Sequence, residues 1–510
     1  MERELKLELL QDEVNRLIDL PLLASYYVEP PHEDRLVSTY FDTADLSFHR
    51  HRVSLRVRQA GEHFVQTLKT SGNRRGGLYE REEFESAILG PVPDLGALQG
   101  TVPRDTPLGG LLRNKDLAER LNPIFTTEVH RTVALLRLPQ GAEVELALDR
   151  GTILGEDTKA PIHELELEVQ AGDPAELFDF ALQLLDAVPM RLSRASKGDR
   201  GYALVAAAPA QAVRAEPLGL ADEASAETVF QCIVENCLTQ IFANEQGVVS
   251  SPNPESVHQM RVGLRRLRAA LDIYRSLIAC PPGLKNEIKW IAGELGPARD
   301  WEVLAHTTLG KAFAGAPEDV GTDAVLAAAN EVAASARKRA ADAVSSERYT
   351  RLILELNHWL VSAQWLLGLD NAQRAGLADP ATTFALSTLH DRHRKLLKRG
   401  RGMAKLDVHR RHRARIAAKK LRYATEFFES LFPAGKVRRF RSQLSQLQDD
   451  LGWRNDMAVA DGLLRNLSGD APQLAFGVGY ARGYLAGGVN ADQELLLRRW
   501  KRFKQARPPT

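Results

Sequence analysis

The 510-residue sequence has only three cysteines, Cys232, Cys237 and Cys280. They are too few and wrongly spaced for a disulfide framework or a zinc site, and they fit a reducing compartment. Aromatic residues make up 6% of the chain. Few stand beside the arginines of the second half, so stacking on nucleic-acid bases is not prepared and nucleic acid is disfavoured as a partner. No apolar run approaches the roughly 18 residues that span a bilayer. The charged N-terminus does not read as a secretory leader, so a cytoplasmic location away from membranes is expected. Net charge is nearly absent as well, at +1. That balance hides a split: residues 1–210 carry about 24 basic and about 34 acidic side chains, residues 211–510 about 43 and about 32. The basic half has the character of a polyanion binder. A chain of this length outgrows one core, so at least two domains are expected.

What is present begins at the first residues. Glu4, Lys6 and Glu8 alternate with Leu5, Leu7 and Leu9, and Glu2 joins the charged set. Period two predicts a strand with two unlike faces. The ordinary reading is a half-buried strand with its polar face in water. Leu36–Thr43 has strand composition and ends in a turn, and further strand-like runs follow with charges on one face: Val53–Arg58, His63–Lys69, Tyr79–Glu85, Thr127–Leu138, Glu143–Asp149 and Glu164–Val169. About eight strands result, a number that can close a barrel. Their charges segregate by strand. Glu143, Glu145 and Asp149, and Glu164, Glu166 and Glu168, are wholly acidic, whereas Arg56 and Arg58, Lys69 and Arg131 are basic. Carboxylates hold hard divalent cations, and arginine and lysine clamp phosphate oxygens, so this division suits a metal–polyphosphate ligand.

The ordered motifs Glu2-x-Glu4-x-Lys6, Tyr40-Phe41-Asp42-Thr43, Leu55-Arg56-x-Arg58, Thr67-Leu68-Lys69, Leu148-Asp149-Arg150-Gly151, Glu164-x-Glu166-x-Glu168 and Ser196-Lys197-x-x-Arg200-Gly201-Tyr202 resemble the CYTH domain, or triphosphate tunnel metalloenzyme, over about residues 1–205. The resemblance implies an eight-stranded antiparallel tunnel with a charged lining, which cleaves or cyclises at a triphosphate with Mg2+ or Mn2+. Carried over by motif, Glu2, Glu4, Glu166 and Glu168 would hold metal. Lys6, Arg56, Arg58, Lys69, Arg81, Arg131 and Lys197 would bind the substrate, with Glu83 and Glu145 as further liners. Lys6, Glu2 and Glu4 are the candidate catalytic residues; no general base is assigned.

Residues 206–224, rich in alanine with Pro209 and Pro217, read as a linker. The second half is helical and duplicated. His258, Arg261, Arg265, Arg266 and Arg268 recur about 154 positions later as His412, Arg415, Lys419, Lys420 and Arg422. Each copy is followed by a second signature, Leu295-Gly296-Pro297-Ala298-Arg299-Asp300 and Leu451-Gly452-Trp453-Arg454-Asn455-Asp456. Offsets of 0, 3 and 7 lie on one helix face, so each copy makes a basic stripe, and the two can meet. A further cationic run, His390 to Arg401, precedes the second copy. The two His-x-x-Arg helices and the two Leu-Gly segments resemble the CHAD domain over about residues 225–505. That resemblance implies polyphosphate binding through His258, Arg261, Arg265, Arg268, Arg299, His412, Arg415, Lys419, Arg422 and Arg454.

The expected fold is α+β with two domains: an eight-stranded antiparallel β tunnel or barrel with flanking helices (1–205), and an all-α duplicated bundle (225–505, repeats about 225–375 and 380–505). The expected function is metal-dependent hydrolysis of inorganic triphosphate, with inorganic polyphosphate held by the helices. The alternatives are a non-catalytic polyphosphate-binding protein, a thiamine triphosphatase and an adenylate cyclase.

Overall fold

The structure, a computed structural model, describes residues 2–70, 73–75, 78–114, 116–193, 195–206, 211–251, 253–491 and 493–509; the side chains of Glu2 and Arg81 lie outside the described residues. It divides into two compact units, Met1–Ala210 with Ser345–Ala363, and Gln211–Val344 with Gln364–Thr510.

The first unit is built on one antiparallel sheet. Its strands are β1 (Glu2–Leu9), β2 (His32–Thr43), β3 (Val53–Ala60), β4 (His63–Thr70), β5 (Asn73–Arg75), β6 (Leu78–Arg81), β7 (Glu83–Ile88), β8 (Leu121–Arg137), β9 (Glu143–Leu154), β10 (Lys159–Ala171) and β11 (Met190–Leu192). They are paired in the order β5-β6-β1-β10-β9-β8-β2-β3-β4-β7, with β11 also on β1. The leucines that alternate in the sequence form the core: Leu5, Leu7, Leu165 and Leu167 are at most 2% exposed. The charged face is enclosed too, with Glu4 and Lys6 at 2% and 5%. The polar face of β1 therefore does not meet water as it would in an ordinary half-buried strand.

Two details depart from the expected eight-stranded barrel. The sheet has eleven strands among the described residues, and its hydrogen-bonded path stays open between its end strands, β5 and β7. The run expected as one strand, Tyr79–Glu85, is broken at Glu82. Before the break it pairs with β1 (Glu2 opposite Arg81), and after it with β4 (Lys69 opposite Glu83). Glu82 thus links β6, next to one end of the sheet, to β7 at the other. Alternation alone cannot reveal a strand that changes partners.

Helix α1 (Pro174–Ala187) turns Leu177, Phe178, Phe180, Ala181 and Leu184 into the core. A second helix, α2 (Lys197–Val205), starts at Ser196 with a capping box in which Ser196 and Asp199 satisfy each other's backbone N–H. Gly201 lets α2 approach Phe125: a Cβ there would sit 2.0 Å from the ring. The following Tyr202 hydroxyl donates to buried Asp42 at 3.0 Å.

The second unit is all-helical. It includes α3 (Ala226–Ser250), α4 (Glu255–Ile273) and α5 (Pro282–Val303). After these the chain returns to the first unit as α6 (Glu347–Val361), which packs on α1. The second unit then resumes with α7 (Ala381–Arg399), α8 (Val408–Phe427) and α9 (Ala434–Asp470). Residues 211–224 form no helix, yet they are tied to this unit. Asn244 accepts from Val213 N–H and donates to Val213 O, and Leu220 N–H donates to Ser430.

Candidate functional site

In the sheet, register decides which charges meet. Lys6 lies opposite Glu166, and Glu4 opposite Glu168, which in turn faces Glu145. Around the strands runs a cavity of about 410 Å³. Glu4, Lys6, Arg56, Arg58, Lys69, Arg131, Lys197, Glu166 and Glu168 all line it, so the structure brings together nine of the eleven sequence candidates. The other two, Glu2 and Arg81, sit on paired strands, but their side chains lie outside the described residues.

One side of the cavity is an ion-pair knot. Lys197, at the first turn of α2, reaches Asp149 at 2.7 Å, Glu164 at 2.5 Å and Glu166 at 2.9 Å. Arg131 forks onto Asp149 through Nε (2.7 Å) and Nη2 (2.6 Å), and Nη2 also meets Glu166 at 2.7 Å. Lys6 lies 2.5 Å from Glu166 and 3.1 Å from Glu4. Burial opposes the charge on Lys197, but its three carboxylates outweigh burial and hold its pKa above the ordinary lysine value. Burial likewise opposes the charge on Glu166, and Lys197, Lys6 and Arg131 overcome it, so its pKa lies well below the usual carboxylate range. Sequence reading left Asp149 and Glu164 out of the site, although both stood on strand faces already marked as acidic.

The other side has cations to spare. Lys69 pairs with Glu83 at 2.7 Å, and Arg56 lies 3.6 Å from the same carboxylate. Beside them Arg58 is drawn down to about 10, chiefly by neighbouring Arg56, then by burial and by Arg131. A site in which one arginine lowers another holds excess positive charge ready for an anion.

Two acidic groups could hold a metal. Asp149, Glu164 and Glu166 bring carboxylate oxygens within 4.8 Å of one another. All three are already engaged by Lys197, however, which a cation would have to displace. The cross-strand row Glu4, Glu168 and Glu145 also lines the cavity and supplies hard oxygen donors. Glu4 of that row is in turn paired with Lys6 at 3.1 Å.

In the helical unit, α4 carries His258, Arg261, Arg265 and Arg268, and α8 carries His412, Arg415, Lys419 and Arg422. The second signatures sit on α5 and α9 and supply a carboxylate to each stripe. Arg261 lies 3.6 Å from Asp300, and Arg415 3.4 Å from Asp456; His412 Nδ1 is 3.0 Å from Asn455 Oδ1. The two stripes face each other. Arg265 of the first copy acts on Arg415 and Lys419 of the second, and Asp456 acts on Asp300. Burial first, then Arg415 and Arg265, bring Lys419 down to about 7. Burial and Arg299 bring His258 down to about 4, so at neutral pH this histidine adds no charge to its stripe. Arg268 is exposed, and Arg422 turns toward Glu426 at 3.3 Å, lining a separate cavity.

Comparison with known proteins follows the same division. The CYTH domain matches residues 1–202 and the CHAD domain residues 232–465. An inorganic triphosphatase of Haemophilus influenzae is 31% identical over 189 residues, 37% of this chain and 51% of that protein. The match therefore spans about half the length of that relative. The crystal structure of the CHAD domain from the plant Ricinus communis is 36% identical, covers 59% of this chain and 99% of that one, and superposes with a TM-score of 0.52. With its second unit matched over nearly the whole of a solved CHAD domain, the chain belongs to the CHAD family and carries a CYTH domain ahead of that region.

Proposed function

We propose that the first unit hydrolyses inorganic triphosphate with a divalent metal, Mg2+ or Mn2+, and that the second unit binds inorganic polyphosphate. The observation that carries the first reading is the division of one cavity into a cationic side with surplus charge and a carboxylate row. Phosphoryl transfer to water asks for positioning and neutralisation more than for covalent help. Arg56, Arg58 and Lys69 would hold the phosphate oxygens. Glu4, Glu168 and Glu145 would hold the metal, which when bound neutralises phosphate charge and polarises the phosphoryl group. Lys6, fixed between Glu4 and Glu166, would orient a terminal phosphate oxygen or the attacking water. Lys197 and Arg131 would keep Glu166 and Asp149 charged and immobile.

The lining favours a triphosphate without a base. Tyr40 is its one aromatic side chain among the described residues, and that ring is stacked on Phe125 at 4.4 Å. Thiamine triphosphate and ATP would find no free aromatic face there.

For the second unit, support comes from the facing stripes, whose cations lower one another's pKa values in a partly buried setting. Phosphate release from tripolyphosphate, ATP and thiamine triphosphate, with Mg2+, Mn2+ or EDTA, tests the enzyme reading. Turnover of tripolyphosphate that needs metal and falls by about a hundredfold in Glu4→Ala is the expected result. A folded protein that turns over none of the three would leave only a binding module.

A further inference from the structure

Helix α8 carries positive charge on two faces. The His412 stripe occupies one. The other, with Arg410, Arg413 and Lys420, looks into a different cavity of about 770 Å³, which shares no lining residue with the cavity at His412. Helical geometry separates the two sets by more than a third of a turn. Nine of the twelve lining residues of this second cavity are arginine or lysine, and none is acidic or aromatic. Much of the charge comes from the end of α7 and the turn after it, the cationic run whose place in the molecule the sequence left open.

Some of these cations are balanced. Asp272 serves Arg392 at 2.5 Å, Lys420 at 3.0 Å and Arg275 at 3.3 Å, and Asp407 serves Arg410 at 3.5 Å. Among the described residues no ion pair opposes Lys395, Lys398, Arg399, Arg401 or Arg413. Ordinary surfaces mix both signs, whereas a concave wall with one sign focuses the potential and gathers counter-ions.

The duplication supplies a control within the same chain. At the matching positions of α4, the first copy has Ser256, Gln259, Gly263 and Arg266. Ser256 is 0% exposed, and Gln259 and Arg266 are 6% exposed. Gln240 donates to Gln259 and accepts from Arg266, and a Cβ on Gly263 would meet Ile241 at 2.8 Å. Helix α3, 25 residues long, covers that face. Its counterpart α7 has 19 residues and stops at Gly400, where a Cβ would meet Trp500 at 2.2 Å. The chain then turns through Gly402 in the left-handed region. So the face that is closed in one copy is open and cationic in the other.

We propose that this cavity, between α7, the turn at residues 400–407 and α8, is a second phosphate-anion site, separate from the facing stripes. Its ligand is a phosphoanhydride chain with no base to recognise, either free tripolyphosphate or a segment of a longer chain. Five donors without a close ion pair, of which Arg413 alone feels Asp407, and no aromatic ring suit phosphate oxygens and not nucleobases. The site stands on its own cations, so it can fail while the stripe reading survives.

The test uses the full chain in EDTA and measures binding of tripolyphosphate, long-chain polyphosphate and single-stranded DNA at several salt concentrations. The variants are Lys398→Ala/Arg399→Ala/Arg413→Ala in the cavity and Arg415→Ala/Arg454→Ala in the stripes, each checked for folding by thermal unfolding. The cavity variant is expected to bind phosphate chains at least tenfold more weakly, with a salt slope flatter by about two units. A loss for tripolyphosphate assigns the free anion; a loss confined to the long polymer assigns a chain segment. Wild-type affinity in the cavity variant beside weakened binding in the stripe variant overturns this site alone. Unchanged binding in both overturns the stripe reading with it. A cavity variant that loses DNA and keeps polyphosphate overturns the ligand assignment. Should the triple variant unfold, Arg413→Gln replaces it with the same criteria at smaller amplitude.

Discussion

The knot of the first unit and the stripes of the second handle crowded cations in opposite ways. Around β10 each buried cation is matched by carboxylates, and Lys197 alone meets three. Between α4 and α8 the carboxylates are few, and the strain appears as depressed basicity, with Lys419 near 7 and His258 near 4. A balanced knot fixes geometry, whereas an unbalanced stripe stores attraction for an anion. The first suits chemistry on a small ligand, the second the holding of a large one.

The comparison breaks most severely at the knot. Lys197→Met leaves three carboxylates without their common partner, and a loss of about 3–5 kcal/mol is expected in urea unfolding. The same variant tests the pH behaviour. Glu166 has a folded pKa below its unfolded value of about 4.3, so its share of the stability is complete above that value. That share is lost as the pH falls through the lowered value, and the variant's acid-unfolding curve should flatten there. Next in size is a crossed pair. Glu4→Ala should lower triphosphate turnover by about a hundredfold and leave polyphosphate binding as it was, whereas Arg415→Ala should weaken binding and spare turnover. Gly201→Ala forces α2 away from Phe125 and should cost about 1–3 kcal/mol; a rise in KM through misplaced Lys197 is the sharper readout. At the stripes, Lys419 loses its proton as the pH passes about 7, so polyphosphate affinity should fall between pH 6 and pH 8, and Lys419→Arg should remove that dependence. The smallest effect belongs to His258→Asn, neutral before and after at pH 7, which should leave the salt slope unchanged.

Much of this was legible because period and charge travel together in the sequence. The leucine–charge alternation of β1 and β10 gave both the strands and their inward faces, and the spacing of His258 and His412 gave the repeat. Glu82 was not legible, because a strand that changes partners keeps its alternation. The neutrality of His258 was not legible either, since it depends on burial and on Arg299 from another helix. Asp149 and Glu164 were visible as charges, but their common cation, Lys197, lies on a helix more than thirty residues away in sequence.

Helix α6 has a consequence for how the chain is made. It packs on the first unit's α1, with His358 3.2 Å from Asp179 and Arg351 2.5 Å from Asp186, yet it is encoded well inside the second half. During synthesis at roughly 5–20 residues per second, the first unit must wait for well over a hundred further residues, on the order of ten seconds, before its last helix exists. A nascent chain halted between the two would leave uncovered the face of α1 on which α6 packs, and the first unit gains its last helix before the second unit's remaining helices are made.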